Sequence, residues 1–198
     1  MKRKYLLAAI ALLVITIGLP SSFAYFNAKD TSDNVFTVGD IKIALTEDKW
    51  KNDEQHVIVA NATFDKNPVV SNIGKNSAYV RIVLKVSNYT KLTQAITTPN
   101  FEVIDLFTPI NDTKWLLASE QIDNTNDSII YTFNYYQILS PEGKTEPLFE
   151  EVIFPNDIDM DIINSMSEDL AIEIKADAIQ SDNFNDVTEA FEAFDLKS

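Results

Sequence analysis

The sequence runs to 198 residues with 30 acidic and 16 basic side chains, a formal net charge of −14, one histidine and no cysteine. An acidic surface of this kind repels nucleic acid and anionic lipid, and suits a basic partner or divalent cations. The lack of cysteine excludes a disulfide framework and a lipid-modified cysteine. Seven tyrosines and twelve phenylalanines supply apolar bulk for a packed core, which argues against a disordered chain.

Lys2, Arg3 and Lys4 precede an uncharged run from Tyr5 to Leu19, which Pro20 and Ser21-Ser22 interrupt. Ser22-Phe23-Ala24 then places small residues at the positions that a signal peptidase reads. This order predicts a secretory signal peptide over 1–24, cut between Ala24 and Tyr25, leaving one domain over 25–198. The competing reading is an uncleaved anchor. At about 1.5 Å per residue the apolar run is shorter than the roughly 30 Å hydrocarbon layer, although extending it through Phe26 nearly spans. The leader carries three basic residues and no acidic one, so its loss moves the net charge from −14 to −17. No apolar tail or sorting sequence closes the chain, so no stable membrane anchor is expected after cleavage.

Past the leader, alternation dominates. Phe36 and Val38 share one phase, whereas Ile41, Ile43 and Leu45 share the other, with Gly39-Asp40 between. An inserted residue at a glycine reads as a β-bulge. Ala78, Val80, Ile82, Leu84 and Val86 form the cleanest half-buried strand. Ile129, Tyr131, Phe133 and Tyr135 form an aromatic one, and Leu170, Ile172, Ile174, Ala176 and Ala178 a third. Weaker strands are expected over 57–64, 69–73, 101–106, 114–118 and 148–154. Asp186-Val187-Thr188-Glu189 has capping-box spacing, with Val187, Ala190, Phe191 and Phe194 on one helical face. The pattern predicts an all-β fold, a jelly-roll-like β-sandwich with a short C-terminal helix.

Catalytic chemistry finds little to work with. A protease-type zinc site draws on several histidine and carboxylate ligands, and HExxH needs two histidines on one helical face. His56 stands alone, and no GxSxG turn displays a nucleophilic serine. Asp157, Asp159 and Asp161 alternate and could share a calcium ion, but they lack the spaced, glycine-bearing loop of an EF-hand. An acidic loop is more often simply solvated. Tyr131, Phe133, Tyr135 and Tyr136 could form a carbohydrate platform. Packing is the better reading for the first three, while Tyr136 falls on the opposite face. No cofactor is expected, and four N-x-[ST] triplets in an Asn-rich chain carry no assignment.

Several stretches in succession resemble the TasA/camelysin family of secreted proteins from spore-forming Gram-positive bacteria. They are Phe23-Ala24-Tyr25-Phe26, then Asn34-Val35-Phe36-Thr37-Val38-Gly39-Asp40-Ile41, and the long run from Lys66 to Arg81. Thr145-Glu146-Pro147-Leu148-Phe149 and the run from Ile174 to Asp182 follow. The resemblance implies a jelly-roll β-sandwich, removal of the leader by a dedicated signal peptidase, and a place in the extracellular matrix of a biofilm. It further implies homopolymeric fibres in which an N-terminal strand of one subunit completes the sheet of the next, with a fibre-anchoring accessory protein as a further partner. The assembly strand falls at about 25–40, with Tyr25, Phe26, Val35, Phe36, Val38 and Gly39 as its marked residues. The alternatives are a monomeric cell-surface binding or fibre-accessory protein and, third, a metalloprotease, a label some relatives carry. A single histidine departs from that activity.

Overall fold

The computed structural model describes residues 26–30, 41–50, 56–166 and 170–196. It is mostly β, with antiparallel sheets and a few short helices. Ten strands are described: β1 (Phe26–Asp30), β2 (Ile43–Thr46), β3 (Thr63–Asp65), β4 (Val69–Asn72), β5 (Ala78–Ser87), β6 (Phe107–Thr108), β7 (Trp115–Asp123), β8 (Ser128–Tyr135), β9 (Glu151–Ile153) and β10 (Leu170–Gln180). They form a five-stranded sheet in the order β1-β10-β5-β8-β7, a β2-β4 pair and a three-stranded β3-β9-β6 sheet.

The three strongly alternating segments sit side by side at the centre of the large sheet. Ile174, Leu84 and Tyr131 form one cross-strand row, and Ile172, Val86 and Ile129 the next. A third row sets Ala176 and Ile82 beside Phe133, so small side chains accommodate a large ring. These residues are buried and belong to one core cluster with Leu45 of β2, Val70 of β4 and Val152 of β9. Period-two alternation therefore maps onto the buried face, because a one-residue slip would turn every one of these side chains to water.

The weaker expectations hold in part. Of the 57–64 stretch only Thr63 and Phe64 belong to a strand of the sheets, β3, because the backbone turns at Asn61, whose φ of 60° is left-handed. Residues 101–106 are not a strand. Val103–Leu106 is a 3₁₀ turn, closed where the Glu102 N–H donates to Asp105 Oδ2 at 2.8 Å, and extended structure resumes only at β6. β7 runs further than 114–118, carried to Asp123 by pairing with β8. The phase change expected at Gly39-Asp40 lies outside the described residues, while Ile41 and Leu45 beyond it are both buried.

Three helices complete the described chain: α1 (Tyr89–Ala95), α2 (Met160–Asn164) and α3 (Val187–Asp195). α3 is the expected C-terminal helix, its first turn capped where Glu189 N–H donates to Asp186 Oδ1 at 2.9 Å. It lies on the outer face of the large sheet, where Val187, Ala190 and Phe191 cover Tyr79 in a cluster separate from the main core. Arg81 fastens it: the guanidinium bonds Asp177 of β10 and Asp195 of α3, each at 2.8 Å, and lies 4.6 Å from the Phe191 ring centre. α1 and α2 pack on one another, with Leu92, Ala95 and Ile163 buried. Neither was expected from periodicity.

Candidate functional site

The two edges of the five-stranded sheet differ in how they are covered. At one edge lies β7, which pairs with no strand other than β8 among the described residues. A bulge between Leu117 and Ser119 interrupts its register, and Glu120 and Asp123 add charge. Bulges and charges on an edge strand hinder addition of a further strand. Leu116, Leu117 and Ile122 are nevertheless partly exposed there.

At the other edge, β10 is covered over Leu170–Ile174 by β1, in register Phe26 to Leu170 through Asp30 to Ile174. This is the one parallel pairing among the described strands; every other pair is antiparallel. A parallel neighbour has no hairpin turn tying it to its partner, and its ladder is slightly less stable per residue than an antiparallel one. The seat itself is well built. Leu170, Ile172 and Ile174 are fully buried, and the Ala171 N–H is held by Ser87 Oγ at 2.8 Å. A strand placed here would extend a finished hydrophobic face.

Of the residues marked for assembly, Phe26 begins β1, while Tyr25, Val35, Phe36, Val38 and Gly39 lie outside the described residues, as does Ala24 at the expected cut. The strand that pairs is thus Phe26–Asp30, in which Asn27, Lys29 and Asp30 are polar. Main-chain pairing on an edge is nearly indifferent to side-chain polarity, so a polar stretch can serve.

The alternating aspartates have separate duties. Asp159 Oδ1 caps α2, accepting from the N–H groups of Asp161 and Ile162 at 2.9 and 3.2 Å. The Asp157 carbonyl accepts from the Thr97 N–H and hydroxyl at 3.0 and 2.8 Å, which ties α2 to the end of α1. Among the described residues, no three histidine, cysteine or carboxylate side chains gather around a common point. His56 stacks on Trp50 with ring centres 3.8 Å apart and meets the edge of Phe64 at 5.5 Å, an aromatic packing role.

Two polar clusters escape sequence reasoning. Lys66 and Glu47 form an ion pair of 2.5 Å with side chains 0% and 3% exposed, and Lys66 Nζ lies 4.4 Å from the Trp50 ring centre. Elsewhere the Tyr135 hydroxyl donates to Glu146 Oε2. Burial first, and then the adjacent Glu146, push the Tyr135 phenol up to about 12, while the same bond holds the Glu146 carboxyl below its usual range. Each cluster joins residues more than a few turns of chain apart, so no local pattern announces them. Among the described residues no helix is long and apolar enough to cross a membrane. Comparison with known protein families, curated proteins and solved structures returns no match for this chain.

Proposed function

We propose that this chain is a secreted structural subunit of an extracellular biofilm matrix, a jelly-roll-like β-sandwich that assembles into fibres by N-terminal strand donation. The observation that carries the reading is the parallel seat of β1 on β10. A terminal strand without a hairpin to its neighbour can leave that seat, and the equivalent strand of another copy can fill it with the same backbone bonds. Each exchange pairs unlike surfaces, so it propagates as a filament unless it closes into a ring. Export supports the reading through the leader pattern over 1–24, and a dedicated signal peptidase would free the strand by cutting beside Tyr25. In this reading the chain has no catalytic centre, and its partners are further copies of itself and a fibre-anchoring accessory protein.

The test compares protein beginning at Tyr25 with protein beginning at Ile41, by light scattering and negative-stain electron microscopy. Filaments are expected from the first alone, and a precursor with residues left before Tyr25 should stay monomeric. Filaments from the shortened protein, or none from the mature protein at any pH or salt, refute strand donation.

A further inference from the structure

A groove of about 620 Å³ opens on the outer face of the large sheet, beside the N-terminal end of α3, and strand donation does not use it. Its volume falls in the range of about 300–1,000 Å³ typical of small-ligand sites. Tyr79 lies in its floor, buried beneath α3. One wall is the segment after β8. Tyr135 faces the core and Tyr136 turns outward, half exposed, followed by Gln137 and a half-exposed Ile138. Leu116 of β7 extends this side.

The opposite wall, Asn185 to Thr188, is held rigid. Asn185 donates from its N–H to Glu189 Oε2 at 2.8 Å and from its amide nitrogen at 2.9 Å, while Asp186 caps the helix. The first wall is anchored by the Tyr136 N–H on the Lys114 carbonyl at 2.9 Å, and by paired bonds between Ala78 and Leu139 at 3.0 and 2.8 Å. Both sides are therefore preorganised, which lowers the entropic cost of binding.

We infer that this groove binds a neutral oligosaccharide. An exposed phenol ring offers a flat apolar face against which the C–H face of a pyranose can lie, while its hydroxyl stays available to water or sugar. Gln137 and Thr188 line the same groove, and an amide and a hydroxyl are side chains suited to exchanging hydrogen bonds with sugar hydroxyls. No groove residue is cationic, and the whole chain carries −14. Phosphate, uronate and other anionic ligands would meet repulsion without a counter-charge, so a neutral sugar is the fitting class. Because β1 lies at the far edge of the sheet, the site is independent of strand donation, and binding is expected from monomers and filaments alike.

Saturation-transfer difference NMR tests this on the full mature chain in either state, with cellotriose, maltotriose and chitotriose as neutral probes and trigalacturonate as the anionic one. At least one neutral probe should show transfer to its ring C–H protons, with a Kd of order 1 mM. Tyr136→Ala should weaken it by about tenfold or more, whereas Tyr136→Phe and Ile73→Ala, a change at an exposed residue outside the groove, should retain it. No transfer from any neutral probe overturns the proposal, as does transfer unaffected by Tyr136→Ala or stronger with trigalacturonate. If Tyr136→Ala abolishes filaments while no sugar binds, the groove is a contact between copies and the proposal fails.

Discussion

The buried pair of Lys66 and Glu47 invites a perturbation whose size follows from its surroundings. Lys66 follows β3 and Glu47 follows β2, so the 2.5 Å contact bridges two of the smaller sheets in a region where both side chains are sealed from water. Lys66→Met keeps the length and the contact with Trp50 but leaves a carboxylate buried without its cation. Breaking one side of such a pair costs about 3–5 kcal/mol, because the desolvation of the remaining charge is no longer offset. In a chain of this size that corresponds to a fall of roughly 6–20 °C in Tm. Glu47→Leu with Lys66→Met removes both charges and should lie within about 1 kcal/mol of the parent, since a well-packed apolar pair often matches a buried ionic one. The exposed pair of Lys49 and Glu150, also 2.5 Å apart with side chains 44% and 41% exposed, supplies the contrast. Lys49→Met should leave Tm within error, because solvent screens such pairs. Urea and thermal unfolding of the single and double variants close the cycle. A Lys66→Met variant as stable as the parent, or a double variant as unstable as the sum of its parts, would refute the reasoning.

Asn72 is fully buried, and its side chain donates to the carbonyls of Asn76 and Leu139 and accepts from the Gly74 N–H, all near 3 Å. Asn72→Ala should cost about 2–3 kcal/mol by urea unfolding, more than a typical surface change, because buried backbone groups lose their mates. Tyr135 has its folded pKa raised from near 10 to about 12, so its stabilising share is full below pH 10 and lost as pH climbs toward 12. Tyr135→Phe should flatten this part of the alkaline stability profile. Arg81→Ala removes the clamp on α3, so amide exchange in Val187–Asp195 should accelerate by roughly 30-fold while the centre of β8 keeps its protection. Unchanged exchange in α3 would show that Val187 and Phe191 hold the helix by packing alone.

The sequence alone determined the centre of the fold. Ala78–Val86, Ile129–Tyr135 and Leu170–Ala178 alternate regularly enough to mark the face that forms the core rows, although α3 also covers Tyr79 on the other face. α3 was equally legible, because its cap, first-turn glutamate and apolar stripe are all local. What tertiary structure decided is the part whose partners lie far along the chain. α1 has no side-chain cap from Asn88; its Thr90 N–H and hydroxyl bond Asp127 in the turn between β7 and β8, a cap that no local window contains. Residues 103–106 are a local exception: their strand-like composition hides the Glu102–Asp105 capping box that curls them into a 3₁₀ turn. The groove beside Tyr136 arises only where α3 lies across the outer face of the sheet, although alternation already set Tyr136 apart from Tyr135. Likewise the polar stretch at Phe26–Asp30 becomes a strand because β10 offers it an open ladder, and backbone hydrogen bonds, unlike apolar periodicity, leave no mark in the order of side chains.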